Sequence, residues 1–225
     1  MKPEQLVYLN PRRHRIYFAS PLNEYMLSDY LKQRNLQIFA KTNIKVPTDF
    51  GFYISKFVDL VSAVEAIHSV NIVHHNINPE DIFMTGPDFD LYVGGMFGSL
   101  YKTFIKNNPQ NITLYAAPEQ IKKVYTPEND MYSLGIVLFE LIMPFKTALE
   151  RETTLTNFRN NVQQMPASLS QSHPKLTEIV CKLIQHDYSQ RPNAKWLLKE
   201  MEQLLLEYTT GSKKTIKEGF GDKAI

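Results

Sequence analysis

Residues 53–68 place Phe57, Leu60, Val61, Val64, Ile67 and His68 at helical spacing, a pattern that predicts an amphipathic helix with one face in the core. Upstream, Ser28-Asp29-Tyr30-Leu31 reads as a helix start. Before it, Arg15-Ile16-Tyr17-Phe18-Ala19, closed by Ser20-Pro21, fits one strand followed by a turn. Ile72-Val73, Ile82-Phe83-Met84 and Leu91-Tyr92-Val93 are short apolar runs separated by Pro79 and Gly86-Pro87, and they predict small strands flanking a loop. From Asp130 onward the pattern turns helical. Residues 131–141 are apolar almost all the way round, the signature of a helix inside the domain rather than on its surface. Further helices are expected over residues 154–161, 176–186 and 194–208. The expected fold class is α+β, mainly α.

Composition narrows the class. With 225 residues, 43% hydrophobic, the chain can bury one substantial core, so one domain is expected. Lys and Arg total 25 against 23 Asp and Glu, and a net charge of +2 gives no field that marks a nucleic-acid or membrane binder. Neither partner is expected. The single cysteine, Cys181, sits in an apolar run and reads as a small core residue in a reducing compartment; it excludes a disulfide framework within one chain. Met1-Lys2-Pro3-Glu4-Gln5 has no signal-peptide core, and the longest apolar stretch, residues 134–145, is interrupted by Glu140 and Pro144. A soluble intracellular protein is expected. The polar end from Gly211, with Lys213, Lys214 and Lys217, predicts a disordered tail over 209–225.

Four motifs in order carry a family resemblance. His74-His75-Asn76-Ile77-Asn78-Pro79-Glu80-Asp81 resembles the protein-kinase catalytic loop H-R-D-L-K-P-E-N, with histidine, proline and glutamate in register. Ala117-Pro118-Glu119 is similar to the end of the activation segment, and Asp130-Met131-Tyr132-Ser133-Leu134-Gly135 to the buried helix that anchors the catalytic loop. Arg191-Pro192 is similar to the segment whose arginine pairs with that glutamate. Finer likeness lies in residues 114–121, in Leu138-Phe139-Glu140-Leu141 before Pro144-Phe145, and in residues 154–160, which resemble the stress kinases acting on the alpha subunit of initiation factor two. Within that group the chain resembles the truncated kinase-like proteins of baculoviruses over residues 16–208. The resemblance implies a kinase C-terminal lobe lacking most of the N-terminal lobe, acting in the host-cell cytoplasm as an inhibitor of host stress kinases.

Against that family the site positions depart. Phosphoryl transfer uses a phosphate cradle, a lysine with its glutamate partner, metal ligands and a residue that orients the attacking hydroxyl. One strand before Ser20-Pro21 leaves the cradle and its lysine no sequence to occupy. Asn76 stands at the catalytic aspartate, Asn78 at the phosphate-contacting lysine, and Asp81 at the metal-binding asparagine. Where the family has Asp-Phe-Gly, the aspartate position falls on Gly95 or Met96, neither of which binds magnesium. His75 replaces the arginine that grips a phosphorylated activation loop, and Asn111-Ile112 replaces a Gly-Thr pair. The expectation is a pseudokinase, not an enzyme, with no cofactor and no metal site.

What remains reads as scaffold and docking surface. His74, Glu119, Asp130 and Arg191 are expected to brace the fold. Tyr92, Met96 and Phe97 are expected to pack the local core. Arg12, Arg13 and Arg15 lie within residues 1–15, ahead of the matched region, and read as an N-terminal arm that docks a partner. Thr154, Asn157 and Arg159 fall on the helix with which the initiation-factor kinases dock their substrate. The expected partner is a host initiation-factor kinase, held through its N-lobe; the alternatives are a decoy that binds the initiation factor itself, or a weak serine/threonine kinase completed by a borrowed N-lobe.

Overall fold

The computed structural model describes residues 6–10, 15–19, 25–40, 43, 45–95, 113–161 and 165–219. Strands β1 (Leu6–Asn10) and β2 (Arg15–Ala19) pair antiparallel, with Leu6 opposite Ala19 and Asn10 opposite Arg15. The second is the strand that the apolar run at 15–19 predicts. The first corrects the expectation of one strand ahead of Ser20: Leu6-Val7-Tyr8-Leu9 is an apolar run of the same kind, and a lone strand leaves its ladder unpaired. The boundary expected between residues 15 and 16 falls inside β2.

A second sheet holds β3 (Tyr25–Met26), β4 (Ile82–Thr85) and β5 (Asp90–Val93), antiparallel in that order, with Tyr25 opposite Met84 and Ile82 opposite Val93. Gly86, at φ +69°, makes the β4–β5 turn. The strand expected at Ile72-Val73 does not form. Asn71 and His75 on either side take φ of 59° and 65°, so the chain bends too sharply there for a ladder.

Helices make up the body. They are α1 (Leu27–Phe39), α2 (Phe50–Ser69), the short α3 (Pro118–Ile121), α4 (Pro127–Ile142), α5 (Ala148–Asn160), α6 (Ala167–Ser172), α7 (Pro174–Leu183) and α8 (Ala194–Gly219). Asp49 caps α2 by accepting from the Phe52 amide at 2.8 Å, and Tyr53, Ile54, Phe57, Leu60, Val61 and Val64 turn into the core. That is the face the periodicity predicts. Residues 129–141 of α4 are all buried, so this helix lies inside the molecule as its apolar circumference requires. At Gly135 a Cβ would stand 2.7 Å from Ile184 Cγ2 and 2.8 Å from Leu183 Cβ, so the missing side chain lets the end of α7 approach α4. Phe139 stacks on Phe158 with ring centroids 4.0 Å apart, fixing α5 against the same core helix.

Some helix ends differ from the pattern. Helix α5 starts at Ala148 rather than 154, because its first turns are polar and largely exposed and carry no periodic signal; the cap is Thr147, accepting from the Glu150 amide at 3.1 Å. Helix α8 runs past Tyr208 to Gly219, through residues whose polarity predicts a disordered tail. Its Tyr208 lies against α2, where a Cβ at Gly51 would meet the ring at 2.7 Å. Cys181 is half-buried on α7, and burial pushes its thiol upward from the ordinary value. Among the described residues no helix is long and apolar enough to cross a membrane.

Candidate functional site

The centre of the site is the loop from His74 to Asp81, held from below by one carboxylate. Asp130, fully buried in the first turns of α4, accepts from the His75 amide at 2.7 Å through Oδ1. Its Oδ2 accepts from the His74 amide and from His68 Nε2, each at 2.8 Å. Three donors make a buried charge tolerable and fix the loop's entry. His74 Nδ1 accepts from the Asn76 amide at 3.2 Å, which puts the ring proton on Nε2, where it donates to the Gly94 carbonyl at 2.6 Å. The histidine thus braces the loop against the segment that follows β5. Gln120 adds a third tie, donating to the His75 carbonyl at 2.9 Å while accepting from the Ala117 amide at 2.7 Å.

Within the loop the side chains bond to one another. Asp81 Oδ2 accepts from Asn76 Nδ2 and from Asn78 Nδ2, both at 2.7 Å. Asn78 Oδ1 accepts from the amides of Glu80 at 2.9 Å and Asp81 at 3.3 Å. Gly95 lies directly across: at φ +72° it has no side chain, and a Cβ there would stand 2.7 Å from Asp81 Cγ and 2.9 Å from Oδ1. The Gly94 amide donates to the Asp81 carbonyl at 2.8 Å, which keeps the two segments in register. Met96, Arg12, Arg13 and Asn111-Ile112 fall outside the described residues, and of Arg15 only the strand backbone is described.

Kinases hold their metal ions between an asparagine of this loop and the aspartate of Asp-Phe-Gly. Here the corresponding positions offer one carboxylate, Asp81, with one oxygen already taken by two amide donors, and Gly95 or Met96, neither of which brings a side-chain oxygen. That donor set does not fit the family's two-ligand site. Among the described residues no group of three or more His, Cys, Asp or Glu gathers elsewhere to replace it.

Glu119 and Arg191 meet as a buried, two-pronged pair at 2.6 and 2.8 Å. Asn129 Nδ2 donates to the same carboxylate at 2.6 Å, and Arg191 also donates to the carbonyls of Gln185 at 2.7 Å and Glu128 at 2.9 Å. Burial raises the Glu119 carboxyl, but the hydrogen bonds and charge of Arg191 outweigh it and hold it below the ordinary glutamate value. Toward the C-terminal end of α4 lies a cluster the sequence reading missed. Glu140, buried on α4, accepts from the Tyr115 hydroxyl at 2.5 Å and from the Arg151 guanidinium. Burial, then the Glu140 charge, pushes the Tyr115 hydroxyl far above its ordinary value. The signal was present: Glu140 is the one charge in the run 131–141, and a lone charge in a buried helix requires partners.

Helix α5 presents its expected docking residues unequally. Asn157 is exposed and Thr154 half-buried. Arg159 turns inward, donating to the Leu114 carbonyl and lying 5.4 Å over the Tyr132 ring. An open groove of about 780 Å³ runs from α1 past Asn78-Pro79-Glu80 to residues 145–151, walled by Leu31, Leu36, Phe39, Leu114 and Phe145.

The comparisons with known proteins agree with this geometry. The model of the protein kinase domain family matches residues 13–201. A probable serine/threonine-protein kinase 2 of Autographa californica nuclear polyhedrosis virus is 95% identical over 214 residues, 95% of this chain and 100% of that relative. Eukaryotic translation initiation factor 2-alpha kinase 1 of Mus musculus is 37% identical over 172 residues, covering 69% of this chain and 27% of the relative. Kinase 3 of the same series, from Rattus norvegicus, is 31% identical over 153 residues, 61% of this chain and 14% of the relative. The chain therefore spans a minor part of these two cellular kinases.

The expectation that the chain is not an enzyme is corrected by these findings. A viral relative matched over its whole length is named as a probable kinase, and the kinase domain model covers the chain from residue 13 to 201; both point to a kinase. The physical reason lies in the weight given to single positions. Replacing the aspartate at 76 removes a contribution of about 10²–10⁴-fold, which slows turnover without abolishing it, and positioning and electrostatics carry much of phosphoryl transfer. The loop architecture, the Asp130 anchor, the Glu119–Arg191 pair and the family match lead to one assignment: this chain belongs to the protein kinase domain family.

Proposed function

We propose that this kinase-family chain binds host kinases of the alpha subunit of initiation factor two in the cytoplasm of infected cells and restrains them, sustaining translation. The observation that carries the reading is kinship: the matches include 37% identity to such a kinase over 69% of this chain, alongside 95% identity to a baculovirus protein. A lobe that resembles one wall of its target's cleft is suited to compete with that wall for the other half. The competition is steep. A kinase's own lobes are tethered at roughly millimolar effective concentration against about micromolar intruder, so contacts beyond the native interface must supply about 4 kcal/mol. Arg15 in β2, with Arg12 and Arg13 just ahead of it in the sequence, are the residues proposed to supply them.

A pull-down with purified components tests this. Immobilised full chain is expected to retain the N-lobe of an initiation-factor kinase, and the triple change Arg12→Glu, Arg13→Glu, Arg15→Glu is expected to release it. Retention of the initiation factor instead, lost on Thr154→Ala with Asn157→Ala, overturns lobe capture in favour of a decoy.

A second reading is phosphoryl transfer by this chain together with a borrowed N-lobe, favoured by the viral relative's name as a probable serine/threonine-protein kinase. Radiolabel transfer that persists when the host kinase is inactivated and disappears on Asn76→Ala supports it; transfer that tracks only the host kinase's activity refutes it.

A further inference from the structure

The groove of about 780 Å³ has one face of α1 as its long wall. Leu31, Asn35, Leu36 and Phe39 follow one another at helical spacing along that wall, which runs about 18 Å from Ser28 to Ala40. Leu114 and Phe145 line the groove with them. Leu36 and Phe39 are 47% and 43% exposed, so two large apolar side chains stand in solvent beside a concave surface. Small-molecule sites typically have volumes of about 300–1,000 Å³, mostly apolar walls and a few polar groups, and this groove has that character.

Charge is sorted along it. One end lies at Glu80, beside the first turn of α1, where the Ser28 amide donates to the Pro79 carbonyl at 2.9 Å. The positive N-terminus of α1 offsets the charge of Glu80 there. The other end lies at Lys146 and Arg151, beyond the middle of α1, where Arg34 donates to the Met143 carbonyl at 3.2 Å. The carboxylates at this end are committed: Glu140 to the Tyr115 hydroxyl at 2.5 Å and to Arg151, and Glu150 to the Lys146 amide at 2.7 Å. The Lys146 ammonium is exposed and, among the described residues, has no carboxylate partner. Helix α5 begins beside it, so Thr147 and Ala148 bring a positive helix end to the same place. Lys32, also on the wall, is paired with Asp29 at 3.2 Å.

We propose that this groove binds a free long-chain carboxylate, with its alkyl chain along α1 and its head group at Lys146. An alkyl chain asks no hydrogen bonds of the walls, whereas an extended peptide would set its backbone amides against Leu36, Phe39 and Phe145. The proposal does not rest on the kinase-binding role. Calorimetry on the full chain, with dodecanoate and dodecyltrimethylammonium below their micelle-forming concentrations, tests it. Dodecanoate is expected to bind saturably, and the cation about tenfold more weakly. Leu36→Glu on the wall and Lys146→Glu at the head end are each expected to weaken dodecanoate about tenfold. Ile38→Glu, at a residue 43% exposed on the same helix but outside the groove, is expected to leave binding unchanged. Lys146 is on the surface, so its variant keeps the test decisive if Leu36→Glu fails to fold. The proposal is overturned by absence of saturable binding, by equal binding of the two head groups, or by an Ile38→Glu loss equal to that of Leu36→Glu. Binding to anionic lipid vesicles with none to free dodecanoate overturns it as well.

Discussion

At the scale of single residues, the most consequential contact is the buried pair of Glu119 with Arg191. Arg191→Ala leaves a carboxylate without its partner and is expected to cost about 3–5 kcal/mol in urea unfolding. The pair also sets a pH dependence with a definite sign. Because the folded Glu119 carboxyl is held below its ordinary value, its contribution is complete above that ordinary value and is withdrawn as pH falls through the lower folded one. Urea midpoints taken down an acid series are expected to fall more steeply for the native chain than for Arg191→Ala. Identical slopes would mean the pair does not govern that window. The pair was legible in the sequence because the kinase motifs carry both members at fixed places. Of the cluster of Tyr115, Glu140 and Arg151 only Glu140 was legible, as the lone charge in the buried run, since Tyr115 and Arg151 each read as ordinary polar residues and are joined to it only by folding.

Among the elements, the buried helix α4 organises the rest, and its end is closed by a side chain from another helix. Arg34, 1% exposed, donates to the carbonyls of Glu140 at 3.2 Å, Leu141 at 2.5 Å and Met143 at 3.2 Å. Those carbonyls lie at the C-terminal end of the helix, where the last backbone acceptors have no partner within it. Arg34→Met is expected to cost about 1–3 kcal/mol, read as a lower denaturation midpoint; an unchanged midpoint would show that the carbonyls find other donors. On α5 the two kinds of residue separate. Arg159→Ala is expected to lower stability because the guanidinium is spent on Leu114 and Tyr132, whereas Thr154→Ala with Asn157→Ala is expected to stay within about 0.5 kcal/mol per change in calorimetry. The periodic helices α2 and α4 were legible because burial imposes a pattern on them. The first turns of α5 and the end of α8 were not, because polar, exposed turns carry propensity and little periodicity. Ile72-Val73 misled for another reason: Ile72 stays exposed, and the left-handed residues on either side decided the conformation.

For the whole molecule, the motifs identified the family, while the balance between catalysis and binding was beyond their reach. Counting departures at 76, 78, 81 and 95 one at a time suggests a dismantled site. The structure shows Asn76, Asn78, Asp81 and Gly95 bound to or shaped around each other, and the relatives point to a kinase. A site of this kind can remain ordered around one carboxylate while the surface of the chain acts on a partner. The proposed partner is a kinase of the initiation factor, and the direct measurement is phosphate incorporation into the factor's alpha subunit by a purified, activated host kinase as this chain is titrated in. Incorporation is predicted to fall to a low plateau, and the fall to require Arg12, Arg13 and Arg15. Incorporation that holds steady at saturating amounts of the chain, or rises, would contradict the account.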